Sequence, residues 1–221
     1  NNKVKCLALS DTCNLFGALE FSEAISKSGT QPIVGTQVNF KYKEIAGLIP
    51  LIALNENGYK KLIEISSKSY LKSEDDTEPV CSIEDLFEKK EGLVVLSGSI
   101  QGLIGKLFNS GKYDYIEEIY KKLRLAYKEN FYLEIQRHND ENEKLFEYFN
   151  LKKSKELKIP IIATQEVFYK DISVYEAHDA LICIGTKSYI NDKNRVKLSN
   201  QHYLKSHDEM SKLFSDLPEA L

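Results

Sequence analysis

Phe131-Tyr-Leu-Glu-Ile135 opens a stretch that closes on Pro160-Ile-Ile-Ala163, with Leu145, Phe149 and Leu157 spaced between the two runs. The outer runs are short and almost continuously apolar, which suits strands buried on both faces. The middle positions share a helical stripe, flanked by Glu and Lys, and suit a helix laid across those strands. Strand, helix and strand in that order make a crossover unit of an α/β fold.

The alternation continues outward. Val4-Lys-Cys-Leu-Ala-Leu9, Pro32-Ile-Val-Gly-Thr-Gln-Val-Asn-Phe40, Leu48-Ile-Pro-Leu-Ile-Ala-Leu54 and Leu93-Val-Val-Leu96 are further strand candidates. Pro50 removes a ladder donor and marks its run as an edge or irregular strand. Phe16, Leu19 and Ile25 form a helical stripe ended by Gly29 as a C-terminal cap. Leu62, Ile65 and Tyr70 mark a second helix, and Tyr175 to Ile184 another. Ile116, Ile119, Leu123 and Tyr127 give the clearest stripe of all. Each stripe reads as core packing, and the charged run from Lys72 to Pro79 reads as a solvated loop. Parallel connections are expected, while periodicity leaves a barrel and an open sheet equally available.

Composition narrows the function. A chain of 221 residues, 42% hydrophobic, can bury one large core. Its 30 basic and 33 acidic residues leave a formal charge of -3, without the positive surplus that grips phosphate. Any hold on nucleic acid is expected from another part of a larger machine. Cys6, Cys13, Cys81 and Cys183 form no C-x-x-C pair, which favours a reducing, cytoplasmic setting. No apolar run approaches the roughly 18 residues of a membrane span, and no signal peptide opens the chain. It starts at Asn1 without a methionine and stops on Asp216-Leu-Pro-Glu-Ala-Leu221, where Asp216 and Glu219 have capping-box spacing and Pro218 suits a first turn. A longer parent chain is expected. No Gly-rich phosphate loop, G-x-S-x-G or H-E-x-x-H is present, and no catalytic residue is assigned. Tyr115, Tyr120 and Tyr127 follow helical spacing and read as packing, not as a base-stacking platform.

Leu9-Ser-Asp-Thr-Cys-Asn-Leu-Phe-Gly-Ala-Leu-Glu-Phe21, followed by Gln31-Pro-Ile-Val-Gly35, resembles the early block of the PHP (polymerase and histidinol phosphatase) domain of bacterial DNA polymerase III alpha subunits. The likeness continues in order through Asn57-Gly-Tyr-Lys-Lys-Leu62, Leu96-Ser-Gly98, Tyr132-Leu-Glu-Ile135, Ala163-Thr-Gln-Glu-Val167, Ala177-His-Asp179, Tyr203-Leu-Lys-Ser206 and Glu209-Met210. It implies a PHP-type distorted (β/α)7 barrel over residues 1–215, with the first βα unit and its H-x-H motif lying before Asn1. Residues 216–221 would begin the helix leading to the polymerase body.

Active PHP domains hold two or three divalent metals on His and acidic groups at the strand ends, for phosphoester hydrolysis. By the resemblance, Thr12 stands here for a His, Gln37 for a Glu, Leu48 for a His and Phe168 for a His. Ser99 falls where Cys or His is frequent, and Glu166 replaces an Asp. Asp11, His138 and Glu166 are left as a vestigial metal set. Each has a plainer reading: Asp11 as a helix cap, His138 as a surface residue beside Arg137 and Asp140, Glu166 paired with a base in solvent. His178 reads as a structural hydrogen bonder, and His202 and His207 show no ligand spacing.

The resemblance thus implies an inactive structural and interaction module that docks an epsilon-type proofreading exonuclease. Its other partners would be the remainder of the alpha subunit, and DNA through the parent polymerase. No cofactor would be held tightly within this stretch. The parent would be a DNA-directed DNA polymerase using magnesium bound elsewhere. The alternatives are a metal-dependent phosphoesterase or 3'-5' exonuclease, and a free-standing histidinol phosphatase relative. Asn57-Gly-Tyr59 and Tyr203-Leu-Lys-Ser206 oppose the last of these.

Overall fold

The structure, a computed structural model, describes residues 5–72, 78–88 and 91–221. Most of the charged run from Lys72 to Pro79 therefore lies outside the described residues. Seven strands form one mixed sheet: β1 (Cys6–Thr12), β2 (Gln31–Tyr42), β3 (Ile45–Ala53), β4 (Cys81–Ser82), β5 (Leu93–Leu96), β6 (Phe131–Ile135) and β7 (Ile161–Ala163). Their spatial order is β1-β2-β3-β5-β6-β7, with β4 on the edge of β2 beyond the end of β1. The α/β architecture expected from the alternation is present, as a curled half-barrel sheet running from β1 to β7, in keeping with a distorted barrel.

Not every connection is parallel. β2 and β3 are an antiparallel hairpin, and β3 pairs antiparallel with β5. The two-residue link Lys43-Glu44 is too short for a crossover, and Lys43 turns the chain with φ 54°. β3 is also central, not an edge. Its ladder with β5 begins at Leu51, one residue past Pro50, so the missing N–H costs that ladder nothing. The β5–β6 and β6–β7 pairs are parallel, as the crossover reading requires.

Eight helices pack on this sheet among the described residues: α1 (Ala18–Lys27), α2 (Glu56–Lys72), α3 (Ile83–Glu88), α4 (Leu103–Asn109), α5 (Tyr113–Tyr127), α6 (Glu143–Leu157), α7 (Tyr175–Thr186) and α8 (His207–Leu213). The α5 stripe is buried as read, with Ile116, Ile119 and Leu123 at 0% exposure against Val95, Phe131 and Leu133. Each such side chain removed from water stabilises the fold by about 1.5–3 kcal/mol. The α1 stripe is not core: Phe16 is 87% and Leu19 72% exposed, and Ala18 is the buried residue of that helix. α1 links β1 to β2 and packs on both, with its outer face open to solvent. Tyr70 and Leu145 are likewise exposed.

The last residues pack back on the body. Phe214, Leu217 and Ala220 join Ile135 in a second, smaller cluster, and Pro218–Ala220 is a 3-10 turn. Asp216 does not act as a cap; its carboxylate is taken by Arg137. No helix among the described residues is long and apolar enough to cross a membrane.

Candidate functional site

Three segments meet beyond the C-terminal ends of β6 and β7. The first is Gln136 to Glu143. Left-handed backbone at Asn139 (φ 64°) and Asn142 (φ 62°) folds it tightly, and Asn tolerates that conformation. The turn brings the Glu143 carboxylate back onto its own loop, where it accepts the N–H groups of His138 (2.7 Å) and Asn139 (2.9 Å). Its other oxygen lies 3.3 Å from His138 Nδ1. His138 is 1% exposed, so it is a buried residue and not the surface one that its charged neighbours suggested.

The second segment is Thr164 to Tyr169 and the third Ser199 to Lys205. They are strapped together by main-chain bonds from Phe168 to His202 (3.0 Å) and from Leu204 to Tyr169 (3.0 Å). The Gln165 amide extends the strap by bonding both the N–H and the C=O of Lys205. This places His202 inside, 1% exposed, with its ring stacked on that of His138 at 4.2 Å and 4°.

Glu166 joins the two rings through its main chain. Its N–H donates to His138 Nε2 (3.1 Å) and its carbonyl faces His202 Nδ1 (3.2 Å). Those bonds assign the tautomers: His138 carries its proton on Nδ1, toward Glu143, and His202 carries its proton on Nδ1, toward the carbonyl. His202 Nε2 is then the nitrogen turned toward a carboxylate. It has no hydrogen-bond partner and faces Asp140 Oδ2 at 3.7 Å, beyond hydrogen-bond reach. The nearby His202 ring holds the Asp140 carboxyl below its ordinary range, against a burial that pushes it up. His138, Asp140 and His202 each bring one donor atom to within 4.8 Å of the others.

Glu134, one turn of the chain earlier on β6, is a second buried carboxyl. One oxygen accepts from Thr164 and from Gln136 (3.1 Å), and the other has no partner. Burial pushes it up to about 7, with the Glu166 carboxylate adding to the rise.

Of the three expected metal residues, only His138 belongs to the group with Asp140 and His202. Glu166 adjoins it by its main chain, its carboxylate acting on Glu134. Asp11 lies on β1, at the opposite edge of the sheet from β7, with its carboxylate beside Gly17. α1 has no side-chain cap bond, so Asp11 does not cap it either. His178 packs by ring contacts with Phe168 (5.7 Å) and Tyr169 (5.1 Å). The positions the resemblance assigns to metal donors carry Thr12, Gln37, Leu48 and Phe168. Asp140, Glu143 and His202 were not picked out by sequence reasoning. Only the His138-x-Asp140 spacing could have flagged the first of them.

This chain belongs to the PHP domain family, whose sequence profile matches residues 1–138. Its similarity to DNA polymerase III subunit alpha runs the length of the chain. The Rickettsia conorii protein of that name is 38% identical over 225 residues, covering 100% of this chain and 19% of the relative. The Caulobacter vibrioides protein is 34% identical over 226 residues, covering 99% and 20%. The Vibrio cholerae protein is 32% identical, covering 97% and 19%. The chain thus spans about a fifth of the length of the curated relatives it matches. Among solved structures, a Bifidobacterium adolescentis protein assigned as a metal-dependent phosphoesterase superposes with a TM-score of 0.46 at 11% identity, over 74% of this chain and 77% of its own.

Proposed function

We propose that this chain is the N-terminal PHP region of a replicative DNA polymerase III alpha subunit. Within that subunit it braces the polymerase body and docks a separate proofreading exonuclease of the epsilon type, and it does not cleave phosphodiesters itself. The observation that carries the second half is the donor set. An aliphatic Leu48 and an aromatic Phe168 have no lone pair for a cation, and Gln37 lacks the charge of a carboxylate. The vestigial set Asp11, His138 and Glu166 offers too few donors for a cooperating pair of ions.

In this reading template-directed nucleotide transfer, with its magnesium, belongs to the rest of the subunit. DNA reaches the domain through that body, in keeping with a net charge of -3. Residues 1–215 form the PHP domain, residues 216–221 lead toward the polymerase, and the compartment is the cytoplasm.

The test uses the full natural chain on an end-labelled primer-template, with magnesium, manganese or zinc supplied. The expected result is primer extension with no nucleotide release from the 3' end, and co-elution of the exonuclease subunit that is lost when the PHP region is deleted. Chelator-sensitive nucleotide release that disappears in His138→Asn would overturn the proposal.

A further inference from the structure

The C-terminal ends of α5 and α6 share a depression on the outer surface of the protein. It holds about 520 Å³, stands broadly open to solvent, and is lined by Lys121, Arg124, Leu125, Lys128, Glu129 and Leu157. We infer that this depression docks a short acidic peptide segment of a partner protein, with an aliphatic side chain of that peptide seated on Leu125 and Leu157. The inference stands whether or not the chain belongs to a replicase.

Charge points to the partner. Three cations and one carboxylate line the depression, in a chain whose overall balance is -3. Lys121 is engaged by Glu117 at 2.7 Å, but Arg124 and Lys128 have no carboxylate partner among the described residues. Part of this has a plain cause. Arg124 stands in the last turn of α5, where a cation meets the negative end of the helix dipole. That cause does not reach Leu125, which is 82% exposed. A single exposed leucine needs no explanation. One that shares a concavity with a second leucine and two free cations presents apolar area edged by positive charge, the make-up of a docking surface.

Lys128 supplies an independent sign. Its backbone has φ 53° and ψ -121°, the first central position of a type II′ turn, which glycine fills without strain and a side chain does not. The turn out of α5 thus calls for Gly, and the residue present is a lysine that lines the depression. Strain kept where a glycine would relieve it goes with a side chain that is used. The lining also selects the class of ligand. It contains no aromatic ring for a base to stack on, which disfavours nucleic acid. A surface this open covers too little of a small molecule. Carboxylates flanking an aliphatic anchor match the cations and the leucines together.

The experiment selects from a random peptide-display library against the full natural chain and measures the enriched peptides by fluorescence anisotropy. Peptides with Asp or Glu around Leu, Ile or Met are expected to enrich, with affinities that weaken as salt rises. Their affinity should fall about tenfold or more in Leu125→Ser and in Lys128→Glu. Both positions are exposed, and circular dichroism checks that the variants fold. Lys128→Gly separates structure from binding: it should raise the melting temperature by relaxing the turn and still weaken the peptide. Peptides that bind all three variants as tightly as wild type would overturn the inference, as would enrichment of peptides without acidic character, or no enrichment at all. Tighter binding of a single-stranded oligonucleotide, lost in Lys128→Glu, would overturn it by giving the surface to nucleic acid. A wild-type dimer that becomes monomeric in Leu125→Ser would overturn it in favour of a second copy of this chain.

Discussion

Glu134 has one carboxylate oxygen bonded and one orphaned, and burial pushes its carboxyl up to about 7 from an ordinary 4.5. The folded value lies above the unfolded one, so the folded protein keeps a proton that the unfolded chain gives up. The stability from that difference is complete below about pH 4.5 and is lost as pH rises through about 7. A gap of that size corresponds to about 3 kcal/mol. Glu134→Gln keeps the shape without the charge, and should flatten most of the decline in urea midpoint between pH 5 and 8. An unchanged slope in the variant would assign the pH dependence elsewhere. A neutral case lies nearby. Tyr120 is fully buried and its hydroxyl donates to Asn150 Oδ1 at 2.8 Å, while Asn150 Nδ2 reaches the Glu134 carbonyl at 3.4 Å. Tyr120→Phe leaves an acceptor stranded and should cost about 1–3 kcal/mol in chemical denaturation. Individual residues were also where sequence reasoning reached least far. His138 was found because it follows a recognisable strand, but Asp140 and His202 become neighbours only through loop turns at Asn139 and Asn142 and a strap. Loop geometry of that kind leaves no periodicity to read.

At the scale of elements, the strand runs were legible because near-continuous apolar sequence has few other uses, and the α5 stripe because four buried positions share one face. Direction was less legible. A two-residue link reads clearly as a hairpin only once both strand ends are fixed, and Tyr42 and Ile45 extended each strand beyond the runs Pro32–Phe40 and Leu48–Leu54. The α1 stripe shows the opposite failure, since an apolar face reports that something can cover it and not that this chain does. Asn57-Gly-Tyr59, first noticed as a pattern, has a packing cause. Any Cβ on Gly58 would sit 1.8 Å from the Gly92 carbonyl oxygen, and Gly92 itself has φ 75°. Asn55 ties the junction by accepting the Gly58 N–H at 3.0 Å. Gly58→Ala must therefore drive α2 away from the turn before β5, with an expected loss of at least about 3 kcal/mol. Thermal melts that move by less than a few degrees would show that the two backbones are not in contact.

For the molecule as a whole, Arg137 is the joint between the sheet and the closing segment. Its guanidinium pairs with Glu147 (2.6 and 3.0 Å) and Asp216 (2.6 and 3.0 Å), takes the Leu213 carbonyl at 2.6 Å, and lies 4.6 Å from the Phe214 ring centroid. Charge-assisted bonds of this kind contribute about 1.5–3 kcal/mol each where they are shielded from water. Glu147 is well shielded and Asp216 is exposed, so the Glu147 side is the stronger half. Arg137→Ala is expected to loosen residues 207–221 ahead of global unfolding, seen as faster amide exchange there while α5 keeps its protection. Uniform exchange along the chain would mean that the segment is not held separately.

Arg137 also precedes His138 directly in the chain. A pull on Leu221 would therefore travel through Phe214 and Asp216 into that guanidinium and arrive at the stacked imidazoles by the peptide bond, while the strap of residues 199–205 is loaded from the other side. Mechanical strain delivered at the end of the chain is thus focused on the spot where two rings and two carboxylates meet.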